Sequence, residues 1–205
     1  MTPLLLGFAA GFLGAIPPGP VGVVVASHAA EGRTRQGVLT GLGAALVDTL
    51  LSGAIALGAG PMLARLTEPT IVRVFLAAAY AGLGVMLVAE ALVGSKKKER
   101  PRQSGAFGFA GGVVRGITNP TLAANWTMLV AGLTASGIYV PSPLGGASFA
   151  IGVGLGVSSY FGILARAVGA APSGRIAPWL RAIGGVTGAA LVCAGGFGAA
   201  RALVG

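Results

Sequence analysis

The residue with the clearest capacity for chemistry is Asp48, the single aspartate of the chain, which ends an uncharged run that begins at Gly37. A carboxylate near the centre of a membrane helix costs about 2.5–3.5 kcal/mol on insertion scales, so it faces the protein interior by default. There it could accept a proton or act as counter-ion to an amine or a metal ion. The structural alternative is that Asp48 anchors a broken helix by hydrogen bonds.

Two interruptions rich in proline and glycine divide apolar segments of the chain. The first covers 14–22 and contains Pro18, Gly19 and Pro20; the second covers 116–120. A proline removes a backbone donor and crowds the preceding turn. In lipid, freed backbone groups are tolerated only where protein or a polar cavity satisfies them, so both interruptions mark candidate binding segments.

Polar side chains accompany the second interruption. Asn119 precedes Pro120, and Asn125 and Trp126 follow a few residues later. An asparagine could hold a carboxylate, an amine or freed backbone groups, and a structural cap for the break is equally open. The N-termini of broken helices suit an anion and their C-terminal carbonyls suit a cation, so a zwitterion could use both. Trp126 and Tyr160 line a cavity or pack in the core.

The elements that position these residues are membrane spans. Hydrophobic residues make up 54% of the chain and charged residues 9%, against about 25% charged in soluble domains. A span needs about 20 apolar residues. The sequence therefore predicts an all-α polytopic membrane protein with six transmembrane helices, at 4–28, 37–60, 72–94, 117–137, 144–168 and 182–204.

Basic residues give the orientation of these spans. Of the 14 lysines and arginines, 11 fall around the odd-numbered connections between spans, and Arg115 is counted in the third connection. The three exceptions are Arg65, Arg73 and Arg201. Since basic connections stay in the cytoplasm, both termini are predicted to lie outside. The basic residues have no interleaved aromatic platform, which argues against nucleic acid as a partner.

The longest polar connection, 95–106, is predicted to be a basic cytoplasmic linker between two halves, 1–94 and 107–205. It could also anchor the protein to anionic lipid. Three spans per half is an odd number, so halves of like fold must insert in opposite orientation. This predicts a 3+3 inverted repeat in which helices 1 and 4 are broken.

Glycines four residues apart predict close helix packing in lipid. They are Gly7 and Gly11, Gly37 and Gly41, Gly108, Gly112 and Gly116, and Gly184 and Gly188. Such faces are also compatible with a homodimer.

Enzymatic chemistry is not expected. A single intramembrane carboxylate cannot form an aspartyl-protease pair, and neither a nucleophile motif nor a phosphate-cradling loop is present. The lone Cys193 excludes an internal disulfide and offers no metal cluster. We therefore predict a protein that is not an enzyme, with neither a cofactor nor a metal site.

Taken together, the motifs resemble the LysE/RhtB family of amino-acid exporters. The resemblance rests on Pro-Gly-Pro at 18–20, the glycine-rich run ending at Asp48, the basic loop, and Gly-Ile-Thr-Asn-Pro at 116–120. It implies export of amino acids or related small metabolites across a bacterial cytoplasmic (inner) membrane, driven by the proton gradient or the membrane potential. The motif positions it carries over are Pro18, Gly19, Pro20, Asp48, Asn119 and Pro120.

The chain departs from the family pattern at two positions. Val21 replaces a frequent polar residue, and Thr121 replaces a lysine. The missing positive charge makes export of a divalent or other cation, known in related branches, the natural alternative. A non-transporting membrane scaffold is the third hypothesis, although it leaves the two proline interruptions without a purpose.

Overall fold

The computed structural model describes residues 2–16, 19–59 and 105–171, together with single positions between 74 and 92 and between 178 and 200. In the three continuous stretches all regular structure is helical. The helices are α1 (Pro3–Ala15), α2 (Pro20–Ala30), α3 (Thr34–Ala54, continued by a π-helical turn Ile55–Ala59 that is kinked at Gly58), α4 (Gly105–Ile117), α5 (Pro120–Ala135) and α6 (Pro143–Ala170).

Prolines set where several of these helices begin. Pro3, Pro20 and Pro143 lie in the first turns of α1, α2 and α6, where a missing N–H costs nothing because it has no partner within the helix. The Ser142 side chain also caps α6, accepting a hydrogen bond from the Gly145 backbone N–H at 3.1 Å. Pro20, which belongs to the first interruption, thus also restarts a helix.

The helices are those of a multi-pass membrane protein. Within the described residues, Thr34–Ala59 and Pro143–Ala170 are each long and apolar enough to cross a membrane, and the bent pair α1 and α2 gives a third span if counted as one. These correspond to predicted spans two, five and one. Predicted spans three and six are described only at single positions, and 95–104 of the linker lies outside the described residues.

The fourth predicted span, 117–137, begins too late. Helix α4 already starts at Gly105, so the break at Thr118 and Asn119 divides this helical segment rather than opening it. The predicted linker ended at 106, and 107–116 was left before the fourth span because Arg115 was counted among the basic residues of that connection. Arg115, predicted to lie in a cytoplasmic connection, instead lies in the last turn of α4.

Helix α1 packs directly on α6 through glycines. A Cβ added to Gly7 or Gly11 would overlap the backbone of Phe149 or Val153, and one added to Gly152 would overlap the backbone of α1 in return. Small residues allow this approach in lipid. Residue numbers rise together along the contact, so α1 and α6 run parallel.

Helix α4 packs on α3 in the same manner. A Cβ on Gly108 would lie 3.1 Å from the Gln36 carbonyl, one on Gly112 would overlap Thr40, and one on Gly43 would overlap the backbone of α4. Numbers again rise together, so α3 and α4 run parallel. The close packing predicted for Gly108 and Gly112 is confirmed.

Helices α3 and α6 cross in opposite directions. A Cβ on Gly37 would lie 3.5 Å from the Cβ of Ala165, and one on Gly53 would lie 2.9 Å from that of Ala150. Because α1 is parallel to α6 and α4 is parallel to α3, α1 and α4 run in opposite directions. The buried core between the helices includes Val25 on α2.

Two described positions outside the long stretches also meet. A Cβ on Gly188 would lie 2.7 Å from the Gly84 carbonyl, and one on Gly84 would lie 2.5 Å from the Gly188 carbonyl. The predicted close packing at Gly188 is therefore confirmed, with Gly84 as its neighbour.

Candidate functional site

The centre of the candidate site is Asp48, in the middle of the helical segment Thr34–Ala59. Asp48 is 9% exposed and Trp126, on α5, is 6% exposed. The Trp126 Nε1–H donates a hydrogen bond of 2.8 Å to the Asp48 Oδ1. This buried bond joins α3 to α5 across 78 residues of sequence.

The charge of Asp48 is met by this neutral donor. A buried carboxylate is costly unless it is paired or hydrogen-bonded, and hydrogen bonds to charged acceptors are about twice as strong as neutral ones. Among the described residues, one ion pair is formed, between Arg33 and Glu31. No cationic side chain of these residues lies within ion-pair range of Asp48. The carboxylate can therefore bind a proton or an incoming cationic group without first breaking an ion pair with a described residue.

Aromatic packing holds the indole in place. The Trp126 ring meets Phe149 edge to face, with centroids 6.4 Å apart, and Phe149 packs against Tyr139 at 5.5 Å. The Tyr139 hydroxyl donates to the Ala56 carbonyl at 3.4 Å, inside the π-helical turn. The partner of Asp48 is thus held by contacts near the start of α6 and just after the end of α3.

Hydroxyl groups near Asp48 are bonded to their own helix. Ser52, one turn further along α3, is completely buried and donates to the Thr49 carbonyl at 3.2 Å. Thr49 donates to the Ala45 carbonyl at 2.7 Å. Such local bonds satisfy the hydroxyls without a partner helix. Among the described residues, the side-chain hydrogen bond from this part of α3 to another helix is therefore the one made by Asp48.

The first break bends the first helical segment. Helix α1 ends at Ala15, α2 restarts at Pro20 with Gly19 as its N-cap, and the two helices form an angle of 72°. The predicted interruption is therefore confirmed, although Pro18 itself lies outside the described residues. The carbonyl of Ile16, at the end of α1, accepts a hydrogen bond of 3.3 Å from the Tyr160 hydroxyl. Tyr160 on α6 thus satisfies a backbone group that the break leaves without a helical partner.

The second break is a compact turn. The Thr118 N–H and hydroxyl both donate to the Val114 carbonyl, at 2.9 and 2.8 Å. Asn119 is half-buried and hydrogen-bonded, and α5 begins at Pro120, whose side chain lies outside the described residues. Asn125 is exposed on α5. The break is therefore present where the sequence analysis placed it, with much of its backbone bonding satisfied locally.

The bond between Trp126 and Asp48 was not predicted from the sequence. Trp126 was expected either to line a cavity or to pack in the core, and the neighbouring Asn125 was the predicted site residue. A signal was available: a buried tryptophan N–H needs an acceptor, and Asp48 is the one aspartate of the chain. A contact between residues so far apart in sequence leaves no mark on local periodicity.

The class of protein follows from these features. A multi-pass helical membrane protein with a proline-broken, bent helix and a buried intramembrane carboxylate has the features of a solute transporter. The family model of the LysE type translocator matches residues 12–202, nearly the whole chain, and the chain therefore belongs to that family. It is a membrane transporter that exports small molecules, as the motifs predicted. No curated protein and no solved structure matches the chain.

Proposed function

We propose that this transporter exports amino acids or related small metabolites across the bacterial cytoplasmic membrane, driven by the proton gradient or the membrane potential. In this proposal Asp48 is the coupling carboxylate. The observation that carries the proposal is the buried bond from Trp126 to Asp48. Through this bond, the Asp48 carboxylate in the middle of a span has a hydrogen-bond partner that leaves its charge unneutralised.

The same bond gives a physical route for coupling. Asp48 is on α3, in the first half, and Trp126 is on α5, in the second. A proton on the carboxylate, or a cationic amine beside it, weakens the charge to which the indole N–H is bonded. The relative position of the two halves then depends on what occupies Asp48. A ligand shifts such an equilibrium only through its different affinity for the two states.

Matching glycine contacts support the inverted repeat within this proposal. A shift of 101 residues relates Gly7 on α1 to Gly108 on α4. Gly7 packs against Phe149, and Gly108 packs against Gln36. These two neighbours are in turn related by a shift of 113 residues. The opposite directions of α1 and α4 agree with an inverted relation. Inverted repeats commonly place the solute and coupling-ion sites at mid-membrane between the two halves.

A second pair of contacts obeys the same two shifts. Gly11 relates to Gly112, and the residues they meet, Val153 and Thr40, are again 113 residues apart. Applied to Asp48, the shift of 113 leads to Phe161 on α6. The two halves thus carry a carboxylate and a phenyl ring at corresponding positions, which leaves this pair of positions with one coupling charge.

The finer topology is also part of the proposal. Arg33 and Arg35 immediately precede or open α3, and with them on the cytoplasmic side both termini lie outside. A homodimer stays a prediction. It does not rest on the glycines of α1 and α4, because those glycines pack within the chain.

Gradient-driven export from proteoliposomes tests the proposal. Vesicles are loaded with all twenty amino acids, the exterior is acidified, and the solutes that appear outside are quantified by mass spectrometry. Wild-type protein is expected to export at least one amino acid above the level of empty vesicles. Asp48→Asn is expected to abolish the response to the gradient, because the side chain keeps its shape and loses the titratable charge.

Glu31→Gln is the matched control, since it neutralises an exposed carboxylate outside the spans. It is expected to export like the wild type. Equal gradient-driven export by Asp48→Asn and wild-type protein would remove Asp48 from the mechanism. No export of any amino acid by the wild type would refute the choice of solute, and uptake of a divalent cation tracer would then test the cation alternative.

A further inference from the structure

Arg115 lies near the end of helix α4, well along the membrane segment, and not in a loop. Helix α4 begins at Gly105, so at 1.5 Å per residue Arg115 is about 15 Å along its axis. The contact with α3 gives the same depth. A Cβ on Gly116 would lie 2.8 Å from the Cβ of Val47, and Val47 adjoins Asp48. Arg115 is therefore within about one helical turn of the depth of Asp48.

An arginine at this depth requires a polar surrounding. Arg115 is exposed on the surface of the chain, and its Nη1 donates to the Gly111 carbonyl at 3.0 Å. Charged residues in spans face a bundle interior or a water-filled cavity, or they extend towards the interface. The bond to Gly111 occupies one of the five guanidinium donors. Arg115 also borders the second break, which starts at Thr118.

The two charges at this depth have opposite sign. Asp48 is bonded to Trp126, and in the described part of the chain Arg115 has no carboxylate within ion-pair range. A site that takes a zwitterion needs opposite charges at a similar depth, and these two residues meet that requirement. A guanidinium binds a carboxylate through two parallel N–H···O bonds, which fixes both position and orientation.

We propose that Arg115 binds the carboxylate of the exported solute, and so selects amino acids over the corresponding amines. This inference rests on the proposed function and names one residue of its solute site. The cationic end of the solute then lies towards Asp48, and the charges of the occupied site balance.

Arg166 on α6 provides a matched control. It is also exposed, and its Nη1 likewise donates to the carbonyl four residues earlier, that of Gly162, at 3.3 Å. Its neighbour Ala165 meets Gly37, close to the start of α3. Arg166 therefore has the local bonding of Arg115 at the edge of the membrane, where an arginine is expected to reach lipid headgroups.

The test compares an amino acid with its decarboxylated amine. The probe is the amino acid that wild-type proteoliposomes export fastest among the twenty, and the second probe is the primary amine that lacks its carboxylate. Arg115→Gln is expected to raise the KM for the amino acid about tenfold or more, the effect of one charge-assisted hydrogen bond, and to leave the KM for the amine unchanged. Arg115→Lys is expected to restore part of the difference, and Arg166→Gln to change neither KM.

Each other outcome refutes a specific statement. Unchanged selectivity in Arg115→Gln, with monodisperse protein and normal export, overturns the role of Arg115 and leaves the proposed function standing. An equal loss for both probes also overturns it, since that result identifies a structural arginine. Absence of Asp48-dependent export of any amino acid by the wild type overturns the proposed function and this inference together, and it is seen before the Arg115 variants are compared.

Discussion

Replacing Trp126 by phenylalanine removes the donor to Asp48 and keeps an aromatic ring in its place. The Trp126 N–H to Asp48 bond is 2.8 Å long and buried. The smaller ring can retain the edge-to-face contact with Phe149. The variant therefore leaves a buried carboxylate without this partner, and we expect it to destabilise the protein.

The expected magnitude follows from the nature of the bond. Hydrogen bonds to charged groups contribute about 1.5–3 kcal/mol in soluble proteins. Interhelical hydrogen bonds within membranes average about 0.6 kcal/mol, with a maximum near 1.7 kcal/mol. Because the acceptor is a buried carboxylate, we expect a coupling between Trp126 and Asp48 of about 1–2 kcal/mol, near the upper end of the membrane range.

A double-mutant cycle isolates this coupling from the loss of packing. Unfolding in mixed micelles is followed by circular dichroism as the fraction of denaturing detergent rises, for wild type, Trp126→Phe, Asp48→Leu and the double variant. Leucine is close to aspartate in size and offers no acceptor to the indole N–H. The packing cost of the smaller ring occurs in both backgrounds and cancels. The coupling energy then reports the interaction between the indole N–H and the side chain at position 48.

Two results would contradict this reasoning. A coupling near zero would mean that the bond contributes nothing to stability. A Trp126→Phe variant as stable as the wild type, with gradient-driven export intact, would remove the bond from both the fold and the transport mechanism.

Three further predictions concern packing, the first break and topology. Gly11→Ala is expected to destabilise the protein by about 1–3 kcal/mol, the usual cost of overpacking, because the added Cβ overlaps the backbone of α6. The loss is measured by thermal unfolding. Gly14→Ala is the control and is expected to be neutral or stabilising, because a Cβ at Gly14 has no neighbour within 4 Å. Tyr160→Phe is expected to lose about 0.5–1.5 kcal/mol with the hydrogen bond to the end of α1, again measured by thermal unfolding, and an unchanged midpoint would refute a role for the hydroxyl. A cysteine at position 2, in place of Thr2 and in a Cys193→Ala background, is expected to react with an impermeant maleimide added outside intact cells; labelling only after permeabilisation would reverse the topology.

Several features of the fold could be predicted because they have local causes. Proline in the middle of an apolar segment forces an interruption, and helices do restart at Pro20 and Pro120. Glycines four residues apart predict close approach, and Gly11 and Gly112 do meet neighbouring backbones. An isolated charge predicts burial, and Asp48 is buried.

Other features escaped sequence reasoning because they depend on tertiary contacts. Helix α4 was missed because its five glycines disfavour a helix on local propensity and because Arg115 was counted with the basic connection, whereas in the folded chain Gly112 is required for contact with α3. The partner of Asp48 was missed because Trp126 is distant in sequence. The π-helical turn at Ile55–Ala59, with Gly58 at φ 108°, also has no periodic signature.

The placement of Arg115 changes the account of charge in the chain. By sequence it is one more basic residue of a cytoplasmic connection, whereas in the structure it shares the depth of Asp48. The topology prediction survives without it, since the lysines and arginines between 96 and 102 remain in the same connection. Arg115 supplies a candidate positive charge near the second break, where the resemblance had noted the absence of a lysine at Thr121.

The central claim is that Asp48 couples export to the gradient. The most direct measurement compares two fluxes of the same amino acid in Asp48→Asn proteoliposomes: gradient-driven export, and counterflow exchange with no gradient imposed. The account predicts that counterflow persists, with a raised KM because the solute amine loses its counter-charge, while gradient-driven export falls to the level seen without a gradient. Gradient-driven export by Asp48→Asn at the wild-type rate, with the same dependence on pH, would contradict it.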